Sequence, residues 1–196
     1  YYRTDIGPSV KRVYVKRKDQ FDFQSANLKT KIKNTLDIDL EDIKIYNRYD
    51  IETSDDNLKK ILYTVLSEAP IDEVYAFDEA INLQESFKRT IVSQYLPGQF
   101  NPREKGVIDA SLLIIEDSEL SVKASTVYEL SGVKDYDIEK IEDFLINPVD
   151  SQQVSLIGIP TTLKVNNNKN LENVIFDNFR EYNDDQLRDF LEENSM

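Results

Sequence analysis

Residues 43–52 read IKIYNRYDIE. Ile43, Ile45, Asn47, Tyr49 and Ile51 occupy every second position, the period of a strand that turns one face to a core. Working outward, RVYVKR (12–17) is rich in β-branched and aromatic residues and predicts an earlier strand. Between the two, Leu28, Ile32 and Leu36 recur every four residues, which predicts a helix over 21–36. A second helix is expected at about 55–67, where Leu58, Ile61, Leu62, Val65 and Leu66 share a stripe. Thr53 and Ser54 stand at its N-cap, and Asp55 and Asp56 at its positive end. Pro70 stops it, and Ile71 to Tyr75 suit a third strand.

The pattern then restarts. TIVSQY (90–95) reads as a strand, Pro97-Gly98 as a turn, and 103–116 as a helix carrying Val107, Ile108, Leu112 and Ile115. Val122, Ala124, Thr126 and Tyr128 alternate in 121–130, and 136–146 is helical through Ile138, Ile141 and Leu145. An offset of 79 residues, the spacing from Phe21 to Phe100, also carries Leu28 to Val107, Leu36 to Ile115, Ile43 to Val122, Tyr49 to Tyr128, Leu62 to Ile141 and Leu66 to Leu145. With a one-residue slip, LSEAPIDEV (66–74) matches LINPVDSQQV (145–154). An internal duplication follows. One copy is too small to bury both a sheet face and its helices, so two copies are expected to share a core. FDEAINLQESFK (77–88) is the expected tether between them.

Composition narrows the chemistry. The chain has 196 residues, with 40% hydrophobic and 31% charged residues, which suits a folded domain. Neither Cys nor His occurs. That excludes disulfides, thiolate sites and the commonest general base and metal ligand. A net charge of −13 argues against nucleic acid as a partner. No apolar run reaches membrane-spanning length, and YYRTDIGPSV (1–10) has no secretory h-region. Lys11, Arg12, Lys16, Arg17 and Lys18 admit an anion site but are better read as the solvated charged ends of a strand. Gly7, Gly98, Gly106, Gly132 and Gly158 form no phosphate-binding loop. Asp37, Asp39, Glu41 and Asp42 resemble the start of a calcium loop but lack its glycine and distal glutamate, so a solvated turn is expected. Asp55-Asp56 and Asp184-Asp185 stand at helix starts, where they complement the dipole.

Residues 158–170 (GIPTTLKVNNNKN) have linker composition. Val174, Ile175, Phe176 and Phe179 follow, then a helix from Asn183 or Asp184 with Leu187, Phe190 and Leu191 on one face. The missing initiator Met and an end at Ser195-Met196 without a helix cap raise the expectation of a piece of a longer chain. QYLPGQFNPR (94–103) predicts a strand–turn–helix entry. Pro102 suits the first helical position, Phe100 can plug a pocket, and Gln99 and Arg103 fall at a loop tip.

Four segments, KRVYVKRKDQFDFQSANL (11–28), IKIYNRYDIE (43–52), SQYLPGQFNPR (93–103) and FLINPVDSQQVSL (144–156), together resemble the N-terminal PurS-like region of the large-type phosphoribosylformylglycinamidine synthases. The resemblance runs from about Lys11 to the C-terminus. It implies an α+β fold of duplicated PurS-like βαβαβ units. These would form a pseudo-dimer, with helices packed on antiparallel sheet, followed by a helical linker. The units would span 11–76 and 89–156, with a tail at 1–10, the tether at 77–88, and 157–196 opening the linker toward a synthetase domain.

In that family the parent enzyme converts formylglycinamide ribonucleotide to the amidine with ATP, Mg and glutamine, in the cytoplasm. The PurS-like region itself would hold no catalytic residue, cofactor or metal. It would help organise the synthetase and glutaminase domains of the same polypeptide for ammonia transfer. Tyr95, Leu96, Pro97, Gly98, Gln99, Phe100, Arg103, Asn147 and Pro148 are the expected interdomain contacts. The isolated chain could also pair with a second copy. One departure is that Glu104, Lys105, Gly106 and Val107 replace the small-residue A-D-S-A-like helix start. A tandem ACT-like small-molecule sensor is the alternative. Such sensors carry a glycine at the first strand–helix turn; Lys18, Asp19 and Gln20 supply none, whereas the second turn has Gly98.

Overall fold

The computed structural model describes residues 9–116 and 120–164. The sequence expectations for 1–8 and for 165–196, including Asp184-Asp185 and the final helix, lie outside these residues. Alternation yields six strands: β1 (Ser9–Arg17), β2 (Asp42–Thr53), β3 (Asp72–Ala76), β4 (Thr90–Tyr95), β5 (Ser121–Ser131) and β6 (Ser151–Gln153). They form one antiparallel sheet in the order β3-β1-β2-β5-β4-β6. The two long strands lie at its centre. β2 and β5 pair from Asp42 opposite Ser131 to Glu52 opposite Ser121, and Asn47 faces Thr126 midway.

Among the described residues five α-helices accompany the sheet: α1 (Phe23–Leu36), α2 (Asp55–Ile61), α3 (Asp78–Ser86), α4 (Pro102–Leu112) and α5 (Ile138–Leu145). Their starts follow from local chemistry. Asp22 accepts the Ser25 N–H at 3.0 Å, Ser54 accepts that of Asn57, and Asn101 accepts those of Arg103 and Glu104 with Pro102 in the first turn. The helix predicted at 55–67 is compound: α2 widens into a π-helical turn over Leu62–Leu66. The helix predicted at 103–116 ends at Leu112, although Ile115 beyond it is still buried.

Packing divides the core in two on one face of the sheet. The first cluster joins Leu58, Ile61 and Leu62, from α2 and the π-helical turn, to Val107 of α4 and Ile115, over Val13, Tyr49, Ile51, Val122 and Ala124. The second joins Ile32 of α1 to Ile141 of α5 over Ile43, Ile91 and Leu130. Each cluster therefore draws on residues both before and after α3.

The expected tether is itself structured. Residues 78–86 form α3, which lies on the opposite face, where Ala80 and Leu83 pack with Tyr14, Tyr46, Val92 and Val127. Phe87 completes an aromatic group there, with ring centroids 5.8 Å from Tyr14 and 5.0 Å from Tyr46.

β5 is followed by Gly132, whose φ of +70° is one that side chains rarely adopt. A Cβ there would stand 2.8 Å from the Glu41 Cβ. The Gly132→Ala variant is expected to lose about 1–3 kcal/mol of stability. A urea titration checks this, and a midpoint equal to that of the wild type would refute the strain.

Candidate interdomain contact surface

The edge of the sheet formed by β4 and β6 carries most of the expected contact residues. β4 ends at Tyr95, and the chain reverses over Leu96–Gln99, where the Gln99 N–H donates to the Leu96 carbonyl at 3.0 Å. Pro97 presets the turn, and Gly98 takes φ +86°. These are the demands of a tight turn with a left-handed third residue. Asn101 and Pro102 then start α4, so the strand–turn–helix entry forms as expected.

A second turn lies alongside. Asn147 Oδ1 accepts the Val149 N–H, the Asn147 carbonyl accepts that of Ser151 at 2.8 Å, and the Leu96 N–H donates to the Asp150 carbonyl at 2.8 Å. Leu96 and Pro148 thereby share a hollow of about 470 Å³ with Glu142, Asp143, Ile146 and Gln153. Tyr95 and Arg103 line a separate hollow of about 140 Å³ with Ser93, Asn101 and Thr126.

Arg103 donates to Thr126 Oγ1 at 3.2 Å. Burial raises the phenol pKa of both Tyr49 and Tyr128, and the Arg103 charge pulls each the other way. Among the described residues Phe100 fills no pocket: the residue is 69% exposed, and Val149 is exposed as well. The turn thus presents apolar side chains outward at a place where the backbone is fixed, which suits a contact surface.

The polar features of the sequence resolve differently. Arg12 and Lys16 are not solvated strand ends: they are 4% and 6% exposed. Arg12 uses all five guanidinium N–H groups. Nε and Nη2 clasp Asp50 at 2.7 and 2.8 Å; Nη1 reaches Gln84 and the Leu156 carbonyl, and Nη2 also reaches the Gly158 carbonyl. Burial opposes the Arg12 charge, but the Asp50 bond and charge outweigh it and the pKa rises.

Arg48 donates to Ser125 Oγ at 2.7 Å and to the Ser155 carbonyl at 2.9 Å. Its pKa is lowered by burial and then by the Arg12 charge. The sequence held a signal for this set. Tyr46, Arg48, Asp50 and Glu52 occupy the alternate positions of β2, the face opposite Ile43, Ile45 and Ile51.

Asp37 and Asp39 straddle Lys33 Nζ at 3.0 and 2.8 Å, which gives the acidic turn a lysine counter-charge. Asp55 pairs with Lys11 at 2.6 Å. Among the described residues no cluster of His, Cys, Asp and Glu could hold a metal ion, and no helix is long and apolar enough to cross a membrane. Compared with models of protein families, with curated proteins and with solved structures, the chain matches none.

Proposed function

We propose that this chain is the non-catalytic assembly module of a large-type phosphoribosylformylglycinamidine synthase. In this reading it is a PurS-like pseudo-dimer that holds a synthetase and a glutaminase domain in register for ammonia transfer. The observation that carries the reading is the register at the centre of the sheet. Asn47 faces Thr126, and the two are counterparts under the 79-residue offset. A two-fold axis relating two copies would pass between them.

The flanking pairs agree. Val13 faces Tyr49 and Ile91 faces Tyr128, so in a duplicated chain β1 would match β4 with one residue more or less in the following turn. Val15 faces Val74, and Ser93 faces Gln153. On this reading Val74 would be the counterpart of Gln153, at an offset of 79. The mixed clusters, α2 with α4 and α1 with α5, are what two copies sharing their cores would produce.

In this role the chain needs neither cofactor nor catalytic residue. ATP, Mg and glutamine belong to the domains it would hold. The Tyr95–Phe100 turn, Arg103 and the Asn147-Pro148 turn are the contact surface. The test is association with a separately produced synthetase–glutaminase polypeptide of that family. Phe100 is exposed, so the Phe100→Ala variant should fold normally yet bind about 30-fold more weakly, the loss of one central aromatic anchor of about 2 kcal/mol. Calorimetry that found no association of the wild type, or equal affinity for the variant, would defeat the proposal.

A further inference from the structure

The segment after β6 crosses the sheet face that also carries α3. It does so without becoming a strand. The Val154 N–H donates to the Val92 carbonyl at 3.0 Å, continuing the β6 edge. Beyond it, side chains of the sheet hold the backbone. Arg48 takes the Ser155 carbonyl at 2.9 Å, and Arg12 takes those of Leu156 and Gly158 at 2.7 and 2.9 Å. At the far end the Glu52 carboxylate accepts the Leu163 N–H at 2.7 Å and the Thr162 hydroxyl at 2.9 Å.

The cradle beneath is buried and charge-balanced: Arg12 and Arg48 against Asp50 and Glu52. It holds mainly backbone groups; Val154, just before the strap, and Leu156 pack into the cluster around Tyr14 and Tyr46, and Ile159 lines a hollow with Ala80 and Ile81 of α3. Ile157 is 74% exposed. Neither of the two clusters under α1, α2, α4 and α5 includes a strap residue.

We infer that this charged sheet face is a binding site for the chain's own extended segment 155–163, which acts as a latch that can leave without unfolding the sheet. Two physical features support release as a local event. The groups that the strap covers are charged, so once it leaves, water can take the place of its carbonyls and N–H on them. The helix-face cores, where most of the apolar burial lies, stay intact when it goes. While docked, the latch delivers Leu163 to the Glu52 end of β2. The inference goes beyond the assembly reading and does not depend on it.

Two substitutions in the strap leave the cradle untouched. Gly158 takes φ +94° with no atom within 4 Å of a Cβ, so Gly158→Val acts through backbone conformation alone. Thr162→Val removes the hydroxyl that Glu52 accepts. Amide hydrogen exchange on the full chain reads the result. In both variants the amides of 155–163 should exchange at least about tenfold faster, while those of β2 and β5 keep wild-type protection. Unchanged strap protection would show that these contacts do not hold it. Loss of protection in β2 and β5 in parallel would show that the strap is an integral part of the fold. Either outcome overturns the latch.

Discussion

Replacing Arg12 by Met lowers the stability of the domain by about 3–5 kcal/mol, the cost of leaving a buried charge without its partner. Arg12 and Asp50 are joined by two parallel bonds and lie almost wholly out of solvent. Removing the guanidinium strands the Asp50 carboxylate and takes three further bonds, to Gln84, Leu156 and Gly158. The double variant Arg12→Met, Asp50→Leu should regain much of the loss, because a buried pair contributes little beyond an apolar pair of similar size. Urea titration of the two variants checks this. A double variant as unstable as the single one would mean that Arg12 matters for packing and strap contacts and not for neutralising Asp50.

The second large effect is expected at Ile141, which is fully buried in α5. Ile141→Ala should cost about 2–5 kcal/mol by lost transfer energy and an unfilled cavity. The location of the effect is more informative than its size. Ile141 packs in one cluster with Ile32 of α1 and Ile43 of β2, about a hundred residues earlier in the chain. Residue-resolved hydrogen exchange should therefore show protection falling by equal free energy in α1, β2, β5 and α5, as for one cooperative unit. If β1, α1 and β2 kept wild-type protection while β5 and α5 lost theirs, the first stretch would be stable alone and the shared core would be wrong.

Much of this architecture was legible in the residues, for identifiable reasons. β4 falls on 90–95 as predicted, because TIVSQY is bounded by Arg89 and by the Pro97-Gly98 turn. The α4 start is equally readable, since Asn101-Pro102 is a cap followed by a first-turn proline. The polar sheet face was not. Period-two alternation says that Tyr46, Arg48, Asp50 and Glu52 share a face, and antiparallel sheets commonly turn such a face to water. Whether it is wet or covered depends on α3 and on a strap about a hundred residues downstream, and no local pattern encodes that contact. The strap contacts were hidden for a related reason: Gly158, Pro160 and two threonines have linker composition, while the groups that hold 156–163 belong to β1 and β2.

The contact surface was legible only in part. The turn chemistry of 96–99 follows from Pro and Gly, and the structure brings Leu96 beside Pro148 through the Leu96–Asp150 bond. That Phe100 points outward does not follow from sequence, since an aromatic residue before a helix cap is as readily buried as exposed. The assembly reading gives that exposed ring a purpose.

The most direct measurement of the assembly reading compares two nitrogen sources. A synthetase–glutaminase polypeptide lacking its PurS-like region is assayed for amidine formation, with free ammonia and with glutamine, in the presence and absence of this chain. The account predicts that ammonia-dependent turnover changes little, while glutamine-dependent turnover appears only when the chain is added. Glutamine-dependent turnover that is the same with and without the chain would contradict it.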